Sequence, residues 1–238
     1  MVSQITAPTP SEIIYPDSDG QPMSDNTKQF RWIVTIKENL ELLFADQPDV
    51  FVAGDLLWYP VEGDPKIRQA PDVMVAFGRP KGERGSYRQW VEANISPQVV
   101  FEILSPGNRL GEMAKKLQFY DCHGVEEYYI YDPDHVDLTG WLRSENKLQV
   151  IDEINRWLSP RLGVSFQITP STVEIYRPDG ERFLSFVELA RLREQERLRA
   201  EEAVTQLEIE QRQNEALTTK NAALAAKLRD LGVDPEQI

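Results

Sequence analysis

Cysteine occurs once in this chain of 238 residues, at Cys122, and histidine twice, at His123 and His135. A lone cysteine excludes an internal disulfide and every multi-cysteine zinc site, so a reducing compartment is the natural setting. Two histidines that lie away from metal-binding spacing read as loop or helix-end residues. No stretch approaches the roughly 18 apolar residues of a membrane span. The opening MVSQITAPTPSEIIYPDSDG lacks the apolar core of a signal peptide, and a soluble cytoplasmic protein with no membrane partner is expected. There is no glycine-rich phosphate loop ending in Lys-Ser or Lys-Thr, and no Gly-x-Ser-x-Gly elbow. Positive charge is scarce: 26 Lys and Arg face 39 Asp and Glu, a formal net charge of −13. Such a surface repels phosphate at long range and argues against broad nucleic-acid binding, while leaving room for a local basic cleft.

What is present is enough apolar material, 41% of residues, for one compact domain plus an extension. Residues 1–25 are rich in Pro, Ser and Asp without periodicity and read as a flexible or loosely docked arm. TKQFRWIVTIKENLELLFA then spaces Trp32, Ile33, Ile36, Leu40, Leu43 and Phe44 at helical intervals, with Ser24, Asp25 and Asn26 as possible caps. DVFVAGDLLWYPV reads as strand with a bend at Gly54-Asp55.

The stretch that organises the chain runs from Pro71 to Asp132. PDVMVAF is a short strand opening on Asp72, and PQVVFEILSP is a buried strand in which Glu102 stands among Val99, Val100, Phe101, Ile103 and Leu104. An unpaired carboxylate there would cost several kcal/mol, so something must compensate it. Between the strands lies a glycine-containing loop with Arg79, Lys81, Arg84 and Arg88 among Tyr87 and Trp90. It is either a surface that tracks a phosphate backbone or a solvated loop, and it leaves the strand from the end opposite Asp72. After Glu102 the chain turns at Ser105-Pro106-Gly107 and enters RLGEMAKKLQFY, a helix with Asn108 as plausible cap. Its buried side carries Leu110, Met113, Ala114, Leu117 and either Phe119 or Tyr120. Lys116 lies on the edge of that side and Lys115 points further out. His123-Gly124 ends the helix. VEEYYIYDP, DLTGWLR, KLQVIDEI, VSFQI and TVEIY follow as short strands continuing a sheet.

From Phe186 the composition changes to a long, charge-alternating helix without proline. A heptad frame with Leu189, Glu196, Ala203, Glu210, Leu217, Leu224 and Leu231 at d puts Arg193, Ala200, Leu207, Asn214, Asn221 and Leu228 at a. The last two heptads fit well and the middle does not. The tail reads as a modest coiled coil that forms a homodimer, or as a single solvated helix.

Two acids on strands with a lysine beside them are the minimum set for Mg²⁺-dependent phosphodiester hydrolysis. Asp72 and Glu102 would hold the metal with the Ile103 carbonyl, and Lys116 would orient water and stabilise the phosphate. Read as structure instead, Glu102 is a buried carboxylate paired with Lys116. Glu38 and Asp55 are more distant candidates for a further acid.

The order APDVMVAFG, VVFEILSPGN, KKLQFYDCHGVEEYYIYDP, GWLR and SPRLGV resembles the Uma-two family, assigned as restriction endonucleases within the PD-(D/E)xK nuclease superfamily. The resemblance covers roughly residues 27–188. It implies an α/β restriction-endonuclease-like core, a mixed central sheet flanked by helices, cutting DNA with Mg²⁺ (Mn²⁺ substituting). Asp72 and Glu102 match the two acids of the pattern. A strict E-x-K would need lysine at 104, where this chain has Leu104, and the resemblance implies that Lys116 on the following helix takes its place. The expected organisation is an arm at 1–25, a nuclease-like domain at 26–187, a coiled-coil helix at 188–232 and a tail at 233–238. The alternative is a catalytically idle nuclease fold acting as an assembly or DNA-binding module through its coiled coil.

Overall fold

The computed structural model describes residues 13–18, 20, 24–230 and 232; residues 1–12, Leu231 and the tail at 233–238, on which parts of the sequence reading fall, lie outside them. Two five-residue strands, β3 (Val73–Phe77) and β5 (Val99–Ile103), form the centre, and β5 is buried at every position. Continuous β-branched and aromatic runs of this kind suit a strand covered on both faces. Around them a six-stranded sheet runs β1-β3-β5-β6-β7-β8, adding β1 (Val50–Gly54), β6 (Glu127–Asp132), β7 (Asp137–Ser144) and β8 (Lys147–Val150). All neighbours are antiparallel except β5 and β6, which are parallel. A parallel pair needs a crossover, and helix α2 (Leu110–Cys122) supplies it.

One face of the sheet packs on helix α1 (Thr27–Leu43). Asn26 caps this helix by accepting from the backbone N–H groups of Lys28 and Gln29 at 2.9 Å each. Its buried stripe is Gln29, Ile33, Ile36 and Leu40, and burying each of the three aliphatic side chains stabilises the fold by about 1.5–3 kcal/mol. VSFQI and TVEIY do not continue the central sheet. They form their own antiparallel hairpin, β9 (Ser165–Ile168) with β10 (Val173–Tyr176), laid on this same face. Phe166, Val173 and Ile175 point inward while Gln167 is exposed, a one-sided alternation that a hairpin over a core satisfies. The turn at 159–161 is anchored by fully buried Glu127, whose carboxylate accepts from the Ser159 hydroxyl, the Arg161 N–H (2.6 Å) and the Tyr129 hydroxyl (2.9 Å).

The opposite face carries α2 and a two-stranded parallel ribbon, β2 (Trp58–Tyr59) with β4 (Tyr87–Arg88). Trp58 and Tyr87 turn inward onto Met74, Val100, Tyr120 and Tyr128. Residues 13–18 of the N-terminal arm are docked on this side: the Tyr15 ring meets Tyr59 and Trp90 at 5.3 and 4.9 Å, and the Pro16 carbonyl accepts from the Tyr59 hydroxyl at 2.7 Å.

Helix α2 is capped at Arg109, one residue later than expected. Asn108 instead accepts from the Ser105 N–H at 2.7 Å, closing the preceding turn, and Leu110 and Ala114 are exposed where a buried side was expected. Gly124 ends the helix at φ +86° as expected. The chain divides into two units, residues 1–185 and 186–238. The second is helix α3 (Phe186–Asp230), 45 residues long with none buried. No helix among the described residues is long and apolar enough to cross a membrane.

Candidate active site

The ladder between β3 and β5 pairs Val73 with Phe101 and Met74 with Val100. Side chains alternate faces along a strand, so Asp72 and Glu102, one step beyond Val73 and Phe101, lie opposite each other on the face of Met74 and Val100. That face is covered by α2, and Lys116 and Tyr120, four residues apart, sit one turn above the other on its inner side. Lys116 Nζ is 2.5 Å from Glu102 Oε2, and the Tyr120 hydroxyl donates to Glu102 Oε1, also at 2.5 Å. Glu102 is 2% exposed. The far end of α2 is fixed to β7 by Arg143, which donates to the Val125 and Asp121 carbonyls at 2.7 Å each.

Asp72 Oδ2 accepts the Ile103 N–H at 2.6 Å. Burial, and then the Glu102 charge, push its carboxyl well above the ordinary aspartate range, with Lys116 opposing. Burial alone would lower the Lys116 ammonium. The charges of Glu102 and Asp72 outweigh it and hold the lysine above its usual value, so it stays protonated. The sequence thus brought Asp72, Glu102, Ile103 and Lys116 to one place, and the compensation Glu102 demanded comes from two residues. Tyr120 was legible only as a buried position; its spacing from Lys116 was the signal that it also reaches Glu102.

Three further residues shape the rim. Gln29 donates to the Ile103 carbonyl at 2.8 Å and accepts from the Asp25 N–H at 2.8 Å. Asp55, at φ +48° in the bend after β1, donates its N–H to the Pro71 and Asp72 carbonyls, and its charge raises the Asp72 carboxyl further. The Tyr128 hydroxyl is buried without a hydrogen-bond partner among the described residues, and both Glu102 and Asp72 act on it electrostatically. Glu38 is exposed and paired with Lys37 at 3.0 Å.

Two buried carboxylates side by side with one ammonium leave an excess of negative charge, which is the chemistry of a hard divalent cation site. The Ile103 carbonyl has a second lone pair beyond the bond from Gln29. Among the described residues there is no group of three or more His, Cys, Asp or Glu side chains arranged for a metal, so a cation here would draw its remaining ligands from backbone and water.

The basic loop is largely self-neutralised. Arg79 Nε and Arg84 Nε lie 2.8 and 2.7 Å from the carboxylate of Glu92, and the Arg84 guanidinium also covers the Phe51 ring at 3.9 Å. Lys81 pairs with Glu41 at 3.1 Å. Arg88 is exposed and makes no ion pair among the described residues.

The domain is thus a mixed α/β fold, its sheet flanked by helices, with Asp72 and Glu102 opposed at the end of the central strands and Lys116 on the crossover helix. Residues 13–212 match the family model Uma2, described as "Putative restriction endonuclease", and the chain belongs to that family. No curated protein matches the chain. A solved structure from Anabaena variabilis, described as a putative nuclease belonging to DUF820, aligns with 19% identity and a TM-score of 0.43 over 57% of this chain and 72% of that one.

Proposed function

We propose that this protein is a Mg²⁺-dependent DNA endonuclease in which Asp72, Glu102 and the Ile103 carbonyl hold the metal, with Mn²⁺ as a substitute, and Lys116 is the catalytic ammonium. The observation that carries the reading is the opposition of Asp72 and Glu102 on β3 and β5 with Lys116 against Glu102. A structural ion pair would need Glu102 and Lys116 alone; it gives no reason for a second buried acid, held at a raised pKa, across the strand. A bound divalent cation would supply charge for the scissile phosphate and lower the pKa of an attacking water. Asp72 and Glu102 present their oxygens from rigid strands, and Tyr120 fixes which way the Glu102 carboxylate faces. Lys116 stays charged, donating to Glu102 and offering its remaining N–H bonds to phosphate or water. Of the four loop cations, Arg88 is the one this reading leaves free to follow the DNA backbone, while Arg79, Lys81 and Arg84 shape the loop.

The reading extends to a homodimer in which helix α3, over about 188–232, pairs as a coiled coil and follows in sequence a nuclease domain at 26–187. What supports it is that Leu189, Leu207, Leu217 and Leu224, at a and d of the heptad frame, are exposed on a helix with no buried residue among those described. Two protomers would bring one site for each DNA strand. Deleting residues 190–238 lowers the oligomeric state, read as light-scattering mass divided by chain mass; an unchanged ratio removes the coiled coil from the proposal.

Calorimetry of Mg²⁺ and Mn²⁺ binding, with plasmid cleavage read from the same samples, tests the active site. The parent binds metal and nicks DNA, Asp72→Asn loses both, and Glu102→Gln folds but does not cut. If Glu102→Gln cuts as well as the parent, the assignment fails. If the parent neither binds metal nor cuts, the weight moves to an idle nuclease fold that works through α3.

A further inference from the structure

The loop entering Asp72 forms one wall of a cleft that the arm completes. Pro65, Lys66 and Arg68 line it from the loop, Ile14 and Pro16 from the docked arm, and its volume is about 410 Å³. That lies within the range of small-ligand sites and above its lower bound of roughly 300 Å³. Neither Lys66 nor Arg68 makes an ion pair among the described residues, unlike Arg79, Lys81 and Arg84, so their charge is available to an anion. The apolar wall of Ile14, Pro16 and Pro65 offers nothing for an anion and suits a sugar or the edge of a base.

The cleft is tied to the acids by backbone. Gln69 pairs antiparallel with Trp58, through Trp58 N to Gln69 O at 2.8 Å and Gln69 N to Trp58 O at 3.1 Å. The Pro71 carbonyl then accepts from Asp55 at 3.1 Å. Trp58 is itself immobilised, fully buried with its ring stacked 6.4 Å from that of Tyr120, the residue that holds Glu102. Arg68 also donates to the Tyr59 hydroxyl at 3.4 Å, and Tyr59 is register-paired with Arg88 in the ribbon. Arg68 is four positions from Asp72, at most about 14 Å of extended chain. Along one strand of a duplex that is within about four phosphates.

We propose that the cleft between the docked arm and residues 65–68 binds one nucleotide of the DNA substrate outside the cleavage position. Its phosphate sits on Lys66 and Arg68 and its sugar or base edge lies against Ile14, Pro16 and Pro65. The proposal rests on the nuclease reading of the Asp72 site and adds to it where the strand is gripped. In an otherwise acidic protein, an unpaired basic cleft in the loop that delivers a catalytic acid gives the substrate a local anchor that the net charge denies it elsewhere.

The test is salt-dependent binding of a fluorescein-labelled DNA duplex to the full-length protein, read by anisotropy with Ca²⁺ in place of Mg²⁺, alongside plasmid cleavage in Mg²⁺. In Lys66→Gln/Arg68→Gln the slope of log affinity against log salt falls by about 0.9, the release expected of one phosphate contact on duplex DNA. Lys66→Arg/Arg68→Lys retains the parental slope, and Lys147→Gln, an exposed lysine on β8, leaves it unchanged. If the parent binds and cuts but the double variant keeps the full slope, or if Lys147→Gln loses as much, the cleft is overturned and the Asp72 site stands. If the parent neither binds nor cuts DNA, both are overturned. A parent that binds without cutting, with the slope loss confined to the double variant, supports the cleft and removes only the catalytic reading.

Discussion

Asp72 and Glu102 lie opposite each other at the ends of β3 and β5, yet their oxygens are satisfied unequally: among the described residues Glu102 has a bond from Lys116 on one oxygen and Tyr120 on the other, whereas Asp72 has the single N–H of Ile103. The fold therefore carries a strained charge at Asp72 and a stabilised one at Glu102. Burial and the Glu102 charge accordingly raise the proton affinity of the Asp72 carboxyl.

Asp72→Asn stabilises the protein at neutral pH while abolishing cleavage. The amide oxygen can still accept the Ile103 N–H, and the repulsion by Glu102 is gone. The pH dependence follows from the raised folded pKa. Between the unfolded value near 3.8 and the higher folded value, the native state binds the proton more tightly than the unfolded one. Stability is thus fully present below that window and falls as pH rises through it. Thermal melts of the parent from pH 4 upward show this loss, and melts of Asp72→Asn show a shallower slope. Identical slopes would mean that Asp72 carries no excess charge energy.

Lys116→Met leaves Glu102 buried with only Tyr120 beside it. Breaking a buried pair costs about 3–5 kcal/mol, and the lower end applies because Lys116 is 20% exposed. Adding Glu102→Gln to Lys116→Met recovers most of that stability without recovering activity. Urea titrations of the two single variants and the double variant measure the coupling, and additive losses would contradict the contact.

Tyr120 and Tyr128 have ring centroids 4.9 Å apart, but among the described residues only the Tyr120 hydroxyl has a partner. Tyr120→Phe removes a bond to a charged acceptor and destabilises by about 1.5–3 kcal/mol. Tyr128→Phe removes an unsatisfied buried group and is neutral or stabilising by roughly 1 kcal/mol. Chemical denaturation of both variants decides it, and equal losses would mean that the Tyr128 hydroxyl does have a partner.

Much of this was legible because period and chemistry coincided. The apolar run around Glu102 forced a buried strand, helical spacing put Met113 inward and Lys116 at the edge of the buried side while misplacing Leu110 and Ala114 and leaving Phe119 or Tyr120 open, and Gly124 marked the stop. The mixed sheet, and the reading of Lys116 as standing in for a lysine at position 104, came from the family resemblance. What sequence did not carry was long-range pairing. Gln29 reads as an ordinary helical glutamine until α1 brings it to the Ile103 carbonyl, 74 positions away. Glu127 reads as a surface acid in a Glu-Glu pair until the turn at Ser159 closes over it. The β9–β10 hairpin has the alternation of a sheet strand, and only the packing decides which sheet it joins.

The loop at 79–92 shows the same limit and supports a test of its own. From sequence its four cations were equivalent; in the fold Arg79 and Arg84 share Glu92, itself 10% exposed at the side chain. Burial alone would raise the Glu92 carboxyl, but the hydrogen bonds from Arg84 and Arg79 hold it below its ordinary value. Arg84→Gln therefore acts on stability, losing about 1.5–3 kcal/mol from the charged hydrogen bonds, together with its contact on Phe51. Arg88→Gln has no such bond to lose, so stability stays within about 0.5 kcal/mol while the salt slope of DNA binding falls by about 0.9, one phosphate's worth. Denaturation and anisotropy on the same two variants separate the roles. If Arg84→Gln instead weakens DNA binding with stability intact, Arg84 leaves Glu92 to engage DNA, and the loop belongs to the interface as a whole.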